Sequence, residues 1–109
     1  MSAVNALTLR QLRALCAVAE TRSISGAAQA LGLTAPAVHS QLRVLEDVVG
    51  APLIFRDGAH AFGATPAGEA LLAAARRADA ALQGALDQIV DYVRSMHQAD
   101  LEDYSIEFV

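Results

Sequence analysis

Apolar residues recur at helical spacing in three short blocks and one long block along this chain. The first holds Leu12, Leu15, Cys16 and Ala19, which share one face of a 3.6-residue repeat. Thr8 and Gln11 form a capping box ahead of it, so a helix is predicted over about 9–20, broken by Thr21, Arg22 and Ser23. In the second block Ser25 is expected to cap a short helix, 26–31, whose Ala27, Ala28 and Leu31 let a neighbouring helix approach closely. Gly32 closes it at the C′ position. In the third, Val38, Leu42, Leu45 and Val49 stack into one stripe, being spaced i, i+4, i+7 and i+11. Thr34 is its expected N-cap, Pro36 lies in the first turn, where a missing N–H costs least, and Gly50 stops it. The opposite face carries Pro36, Ser40, Arg43 and Asp47, flanked by Ala37 and His39.

After Gly50 the helical pattern gives way to an extended apolar run, 51–56, a turn dipeptide Asp57-Gly58, and a second extended piece, 61–64. Two such runs around an Asp-Gly turn read as a β-hairpin. Two helices joined by a glycine-containing turn, the second amphipathic, form a helix-turn-helix pattern, and the hairpin adds a wing. Thr65-Pro66 then opens the long block with an N-cap and a proline at N1. Leu71, Ala75, Ala78, Leu82, Ala85, Ile89, Tyr92 and Met96 alternate spacings of four and three, widened by Leu72, Leu86, Val90 and Val93. A helix of about thirty residues spans roughly 45 Å, too long for one small head to cover. The expected role is coiled-coil-like dimerisation through Leu71, Ala75, Ala78, Leu82, Ala85, Leu86, Ile89, Val93 and Met96. The competing reading is a helix folded back on its own head. Residues 98–109 are acidic and alternate Tyr104, Ile106 and Phe108 with polar neighbours, which fits a short strand, the start of a further domain, or a tail.

These elements define a mostly α fold, a winged helix-turn-helix followed by a long dimerisation helix. Its expected parts are residues 1–65, 66–97 and 98–109. Composition adjusts the picture in two ways. Of the 109 residues 24 are alanine, so the core is smaller than the 54% hydrophobic content suggests, and helices are favoured. The net charge of −4 is also unevenly spread. Residues 1–77 hold seven arginines and five acids, a surplus of +2, while residues 78–109 hold one arginine and seven acids, −6. That is the distribution of a nucleic-acid-binding head with an acidic appendage. There is no lysine, so every cationic side chain other than histidine is a guanidinium suited to phosphate or guanine.

Cys16 stands alone, which excludes an intramolecular disulfide and fits a reducing compartment. With no run of 18 apolar residues and no signal pattern, a cytoplasmic protein without membrane association is expected. No metalloprotease, Cys-x-x-Cys, phosphate-loop or hydrolase motif occurs, and the histidines lie far apart at 39, 60 and 97. No catalysis, cofactor, metal site or small-molecule site is therefore expected. His60 and His97 read as solvated, and Arg43 has a second possible role in an ion pair with Asp47.

Taken in register, the residues resemble the N-terminal DNA-binding region of LysR-type transcriptional regulators, over Thr8 to about Leu86. The resemblance rests on Leu9-Arg10-Gln11-Leu12, Ala27-Ala28 with Leu31, Pro36-Ala37-Val38, Gln41-Leu42-Arg43 and Leu45-Glu46. It continues through Gly50-x-Pro52-Leu53, Arg56 and Thr65-x-Ala67-Gly68. It implies a recognition helix, 35–49, in the major groove and a linker helix paired antiparallel in a homodimer that reads a dyad-symmetric duplex. It further implies contacts from Ala35, Pro36, His39 and Ser40, phosphate contacts near Thr34 and Arg43, and a backbone or minor-groove contact from Arg56. Ala35 stands where the family often has glutamine, and Ser40 where a larger residue is common. The wing tip, Ala59-His60-Ala61, lacks the usual arginines and is one residue longer, which weakens the electrostatic part of binding. The family's C-terminal effector domain does not follow in this sequence, so either an excised fragment, the favoured reading, or a naturally short member is expected. The alternative function is a winged-helix interaction module that dimerises or docks on protein without binding DNA.

Overall fold

The computed structural model describes the backbone of residues 3–57 and 60–107, and the side chains of residues 3–56 and 63–99. It divides into two units, Met1–Arg76 and Arg77–Val109.

In the first unit a 3-10 turn, Ala3–Ala6, leads to α1, Leu9–Thr21. The capping box is formed as expected. Gln11 N–H donates to Thr8 Oγ1 at 3.2 Å, and Thr8 N–H donates to Gln11 Oε1 at 3.1 Å. The helix closes on Arg22 at φ 56, whose N–H donates to the Val18 carbonyl at 2.7 Å. A residue with a Cβ pays about 1 kcal/mol or more for that left-handed conformation. Arg22→Gly is therefore expected to stabilise the head by about 0.5–1 kcal/mol, after the extra chain entropy of glycine is counted. Thermal denaturation followed by circular dichroism would check this; an unchanged or lower midpoint would mean that the entropy cancels the relief.

The second helix, α2, spans Ile24–Leu31, and its cap is Ser23, not Ser25. Ser23 Oγ accepts from Gly26 N–H at 2.8 Å. The earlier start has a packing reason: it makes Ile24 helical and buries it in the core. A Leu or Ile side chain so buried is worth about 1.5–3 kcal/mol. Gly32 and Gly50 both close their helices with positive φ, as expected. α3 runs Ala35–Val49, and Thr34 Oγ1 accepts from Ala37 N–H at 3.2 Å.

The core lies where these three helices meet. Leu15 and Val18 from α1, Ala27 and Ala28 from α2, and Val38, Leu42 and Leu45 from α3 are all buried there. Leu53 and Ile54 close one side and Leu72 another. Cys16 is half-buried against this core and forms no disulfide.

Two strands, β1 (Ile54–Asp57) and β2 (His60–Ala64), pair antiparallel with Ile54 opposite Ala64, Arg56 opposite Ala61 and Asp57 opposite His60. The register is irregular between Ile54 and Arg56. The expected turn at Asp57-Gly58 and the wing tip at Ala59 lie partly outside the described residues, as do the side chains of residues 57–62.

Thr65 ties the base of the hairpin to the next helix, α4, Pro66–Glu107. Its hydroxyl donates to the Pro52 carbonyl at 2.7 Å and accepts from Gly68 N–H at 3.0 Å. Its own N–H donates to the Leu53 carbonyl at 2.9 Å. The first turns of α4 belong to the head: Leu72 and Ala75 are buried, and Leu71 is half-buried against the core. The compact unit thus runs past the boundary expected at residue 65, to Arg76.

In the second unit the chain remains helical to Glu107. The short-strand reading of residues 98–109 gives way to helix as far as Glu107, and Phe108 and Val109 lie outside the described residues. Three alternating residues could not outweigh a running helix, because propagation adds a bond per residue without a new nucleus. Among the described residues, no helix is long and apolar enough to cross a membrane.

Candidate nucleic-acid interface

The stripe of α3 dictates what its other face presents. Val38, Leu42 and Leu45 are fully buried, and Pro36, His39, Ser40, Arg43 and Asp47 are exposed on the opposite side. Thr34, at the helix start, is exposed too. Ala35, expected among the contact residues, is half-buried and packs partly against the core, so the methyl is drawn inward. The first-turn amides of α3 place the positive end of the helix macrodipole at this end of the face. Among the described residues Arg43 and Asp47 form no ion pair, so that alternative role for Arg43 is not taken up.

The wing side of the face is built around Glu46, which had no expected role beyond its place in the Leu45-Glu46 motif. Glu46 sits in the last turns of α3 with its side chain only 14% exposed. Its Oε2 accepts from Leu53 N–H at 2.7 Å, and its Oε1 pairs with Arg56 Nη1 at 3.0 Å. The Arg56 side chain is 36% exposed and, among the described residues, is held at Nη1; the guanidinium carries further donors beside that one. Glu46, Asp47, Gly50, Ala51, Pro52 and Arg56 line a shallow groove between the end of α3 and the arm of the hairpin. The signal for Glu46 was present but faint. A carboxylate near a helix C-terminus opposes the macrodipole, and it persists where it has partners elsewhere.

The expected dimer residues divide between the two units. Ala75 is 4% exposed and Leu71 half-buried within the head. The head's own core covers Ala75 and part of Leu71, which leaves Ala75 little surface for a partner helix. Ala78 is half-buried. In the second unit every described side chain from Asp79 to Ala99 is exposed, including Leu82, Leu86, Ile89, Val93 and Met96, together with Val90 and Tyr92. A row of large apolar residues at helical spacing without cover is unusual for a monomer. Gln83 Nε2 donates to Asp87 Oδ1 at 3.1 Å along the polar side, a support between neighbours one turn apart. His97 is exposed, as expected, and the side chain of His60 lies outside the described residues.

Comparison with known proteins places this arrangement. Residues 9–69 match the model of the bacterial regulatory helix-turn-helix protein, lysR family. An HTH-type transcriptional regulator CbbR from Cereibacter sphaeroides is 46% identical over 91 residues, covering 83% of this chain and 29% of that protein. A crystal structure of a CbnR_DBD-DNA complex shares 32% identity with a TM-score of 0.70, over 75% of this chain and 93% of that one. Full-length LysG from Corynebacterium glutamicum, with bound effector Arg, shares 30% identity with a TM-score of 0.73, over 80% of this chain and 29% of that one. The chain spans less than a third of the curated relatives it matches. Its helix order, wing and matched residues agree with one another, and the chain belongs to the lysR family of bacterial helix-turn-helix regulatory proteins.

Proposed function

We propose that this chain is a dimeric, sequence-specific, double-stranded DNA-binding part of a transcription regulator that acts in the bacterial cytoplasm. The observation that carries the reading is the outward face of α3, with Pro36, His39, Ser40 and Arg43 exposed above a fully buried stripe. A helix about 10–12 Å across fits a major groove about 12 Å wide. In that pose His39 and Ser40 face base edges or phosphates, and Arg43 offers a planar fork to phosphate or guanine. Thr34, Pro36 and the Ala35 main chain approach the backbone at the helix start, where the dipole favours an anion, and Arg56 reaches the duplex from the wing. The solved CbnR_DBD-DNA complex supports the assignment by likeness.

Dimerisation is assigned to Leu82, Leu86, Ile89, Val93 and Met96, with Ala78 and Ala85 letting the backbones approach. A symmetric pair of heads then reads a dyad-symmetric site. The double variant Leu86→Glu/Ile89→Glu is expected to be monomeric at micromolar concentration by light scattering. It should also lose at least tenfold in affinity for an inverted-repeat duplex, since each head then binds alone. A variant that remains dimeric would remove the seam from this stripe.

The direct test enriches a random duplex pool on the wild-type chain. Fluorescence anisotropy then compares the enriched sequence with a scrambled one at two salt concentrations. Preferred binding that weakens steeply with salt is expected, because neutralised phosphates release counterions. Absence of binding at low salt would favour the interaction-module reading, in which the acidic second unit docks on protein.

A further inference from the structure

We propose that Glu46 is a positioning residue for the wing, fixing the arm of the hairpin and its cation against the recognition helix. The inference rests on the DNA-binding reading above.

The two oxygens of one carboxylate are committed to two residues of the same chain segment. Oε2 takes the Leu53 N–H at 2.7 Å, which sets the arm, and Oε1 takes Arg56 Nη1 at 3.0 Å, which sets the guanidinium. The other side of the Leu53 residue is also held, its carbonyl accepting from Thr65 N–H at 2.9 Å. The arm therefore cannot slide away from Glu46 without breaking a bond at the start of α4. Glu46 is turned inward, whereas Arg56 is more exposed and, among the described residues, is paired at Nη1, with further donors in a rigid fork. A guanidinium already restrained loses less rotamer freedom when it meets a phosphate. A carboxylate that merely neutralised Arg56 would not need the Leu53 bond. Here the same group locates main chain and cation together.

The test compares the wild-type chain, Glu46→Gln, Arg56→Gln and the double variant on the enriched duplex across a salt series. The glutamine at 46 can still accept from Leu53 N–H but cannot form the ion pair. Glu46→Gln is expected to lose about five- to tenfold in affinity, and its log affinity–log salt slope should fall by about one, as for Arg56→Gln. The double variant should bind no worse than either single variant, the non-additivity of groups that act as a unit. Glu46→Asp keeps the charge but is one methylene short of both partners, and it should resemble Glu46→Gln. An unchanged slope with only a lowered melting midpoint would overturn the proposal, leaving Glu46 a structural residue. Tighter binding by Glu46→Gln would overturn it in favour of a masked Arg56. Failure of the wild type to bind any duplex at low salt would instead remove the DNA reading, and the inference with it.

Discussion

Gly68→Ala should lower the thermal midpoint of the head by about 10–20 °C, corresponding to a loss of about 2–3 kcal/mol. Helix propensity alone points the other way, since alanine in a helix gains up to about 1 kcal/mol over glycine. The packing overrides it. A Cβ at residue 68 would overlap the Leu53 carbonyl oxygen, lying 3.0 Å from the Leu53 carbonyl carbon and 3.1 Å from the Ala64 Cβ. That carbonyl belongs to backbone held by Thr65 N–H, so it has no flexible end to swing aside. Gly84 supplies the control, being helical with nothing but the backbone of its own helical turns near its notional Cβ among the described residues. Gly84→Ala should hold or raise the midpoint. Melting curves at one fixed protein concentration, needed because association shifts the midpoint, would decide the matter. A Gly68→Ala midpoint at or above wild type would mean that α4 can back away from the arm at no cost.

The second large effect concerns binding. Arg43→Ala should reduce affinity for the enriched duplex about tenfold or more, with stability changed by less than about 0.5 kcal/mol. The reason is position: Arg43 is exposed on the outward face of α3, and among the described residues no ion pair with Asp47 occupies it. The form of the loss identifies the partner. A phosphate contact lowers binding to all sequences and reduces the salt slope by about one, whereas a guanine contact erodes discrimination between enriched and scrambled duplexes. Unchanged affinity for both duplexes would remove this face from the interface.

Much of the fold could be read from local chemistry. Thr8, Thr34 and Thr65 cap helices as expected, because a cap is decided by residues within one turn of it. The α3 stripe was legible for the same reason, spacing alone fixing the face of Val38, Leu42 and Leu45, although Val49, expected to continue it, is exposed in the last turn. Ser23 was missed since Ser25-Gly26 looked the better start, and only the tertiary core reveals the value of burying Ile24. The long stripe of α4 was continuous in sequence, yet which part the head covers depends on where Leu72 and Ala75 land. Glu46 was the least legible. Its partners lie seven and ten residues further on, across a glycine and a proline, and no periodic pattern connects them. The outward face of α3 was legible as polar; the inward turn of Ala35 was not, because a methyl at the helix start gives no sign of its direction.

The Leu53 peptide carries a consequence for how chains of this kind can change length. Its N–H donates to the Glu46 carboxylate on α3 and its carbonyl accepts from the N–H of Thr65, which caps α4, so both bonds use main-chain atoms of Leu53. A different side chain at residue 53 could alter the core without moving either bond, but one residue added between Gly50 and Leu53 would shift both partners out of reach. Insertions and deletions are thus barred from the arm of the wing. They can be accommodated further out along the hairpin, beyond the two bonds that Leu53 makes. Divergence among such wings should accumulate as longer or shorter tips on an arm of constant length.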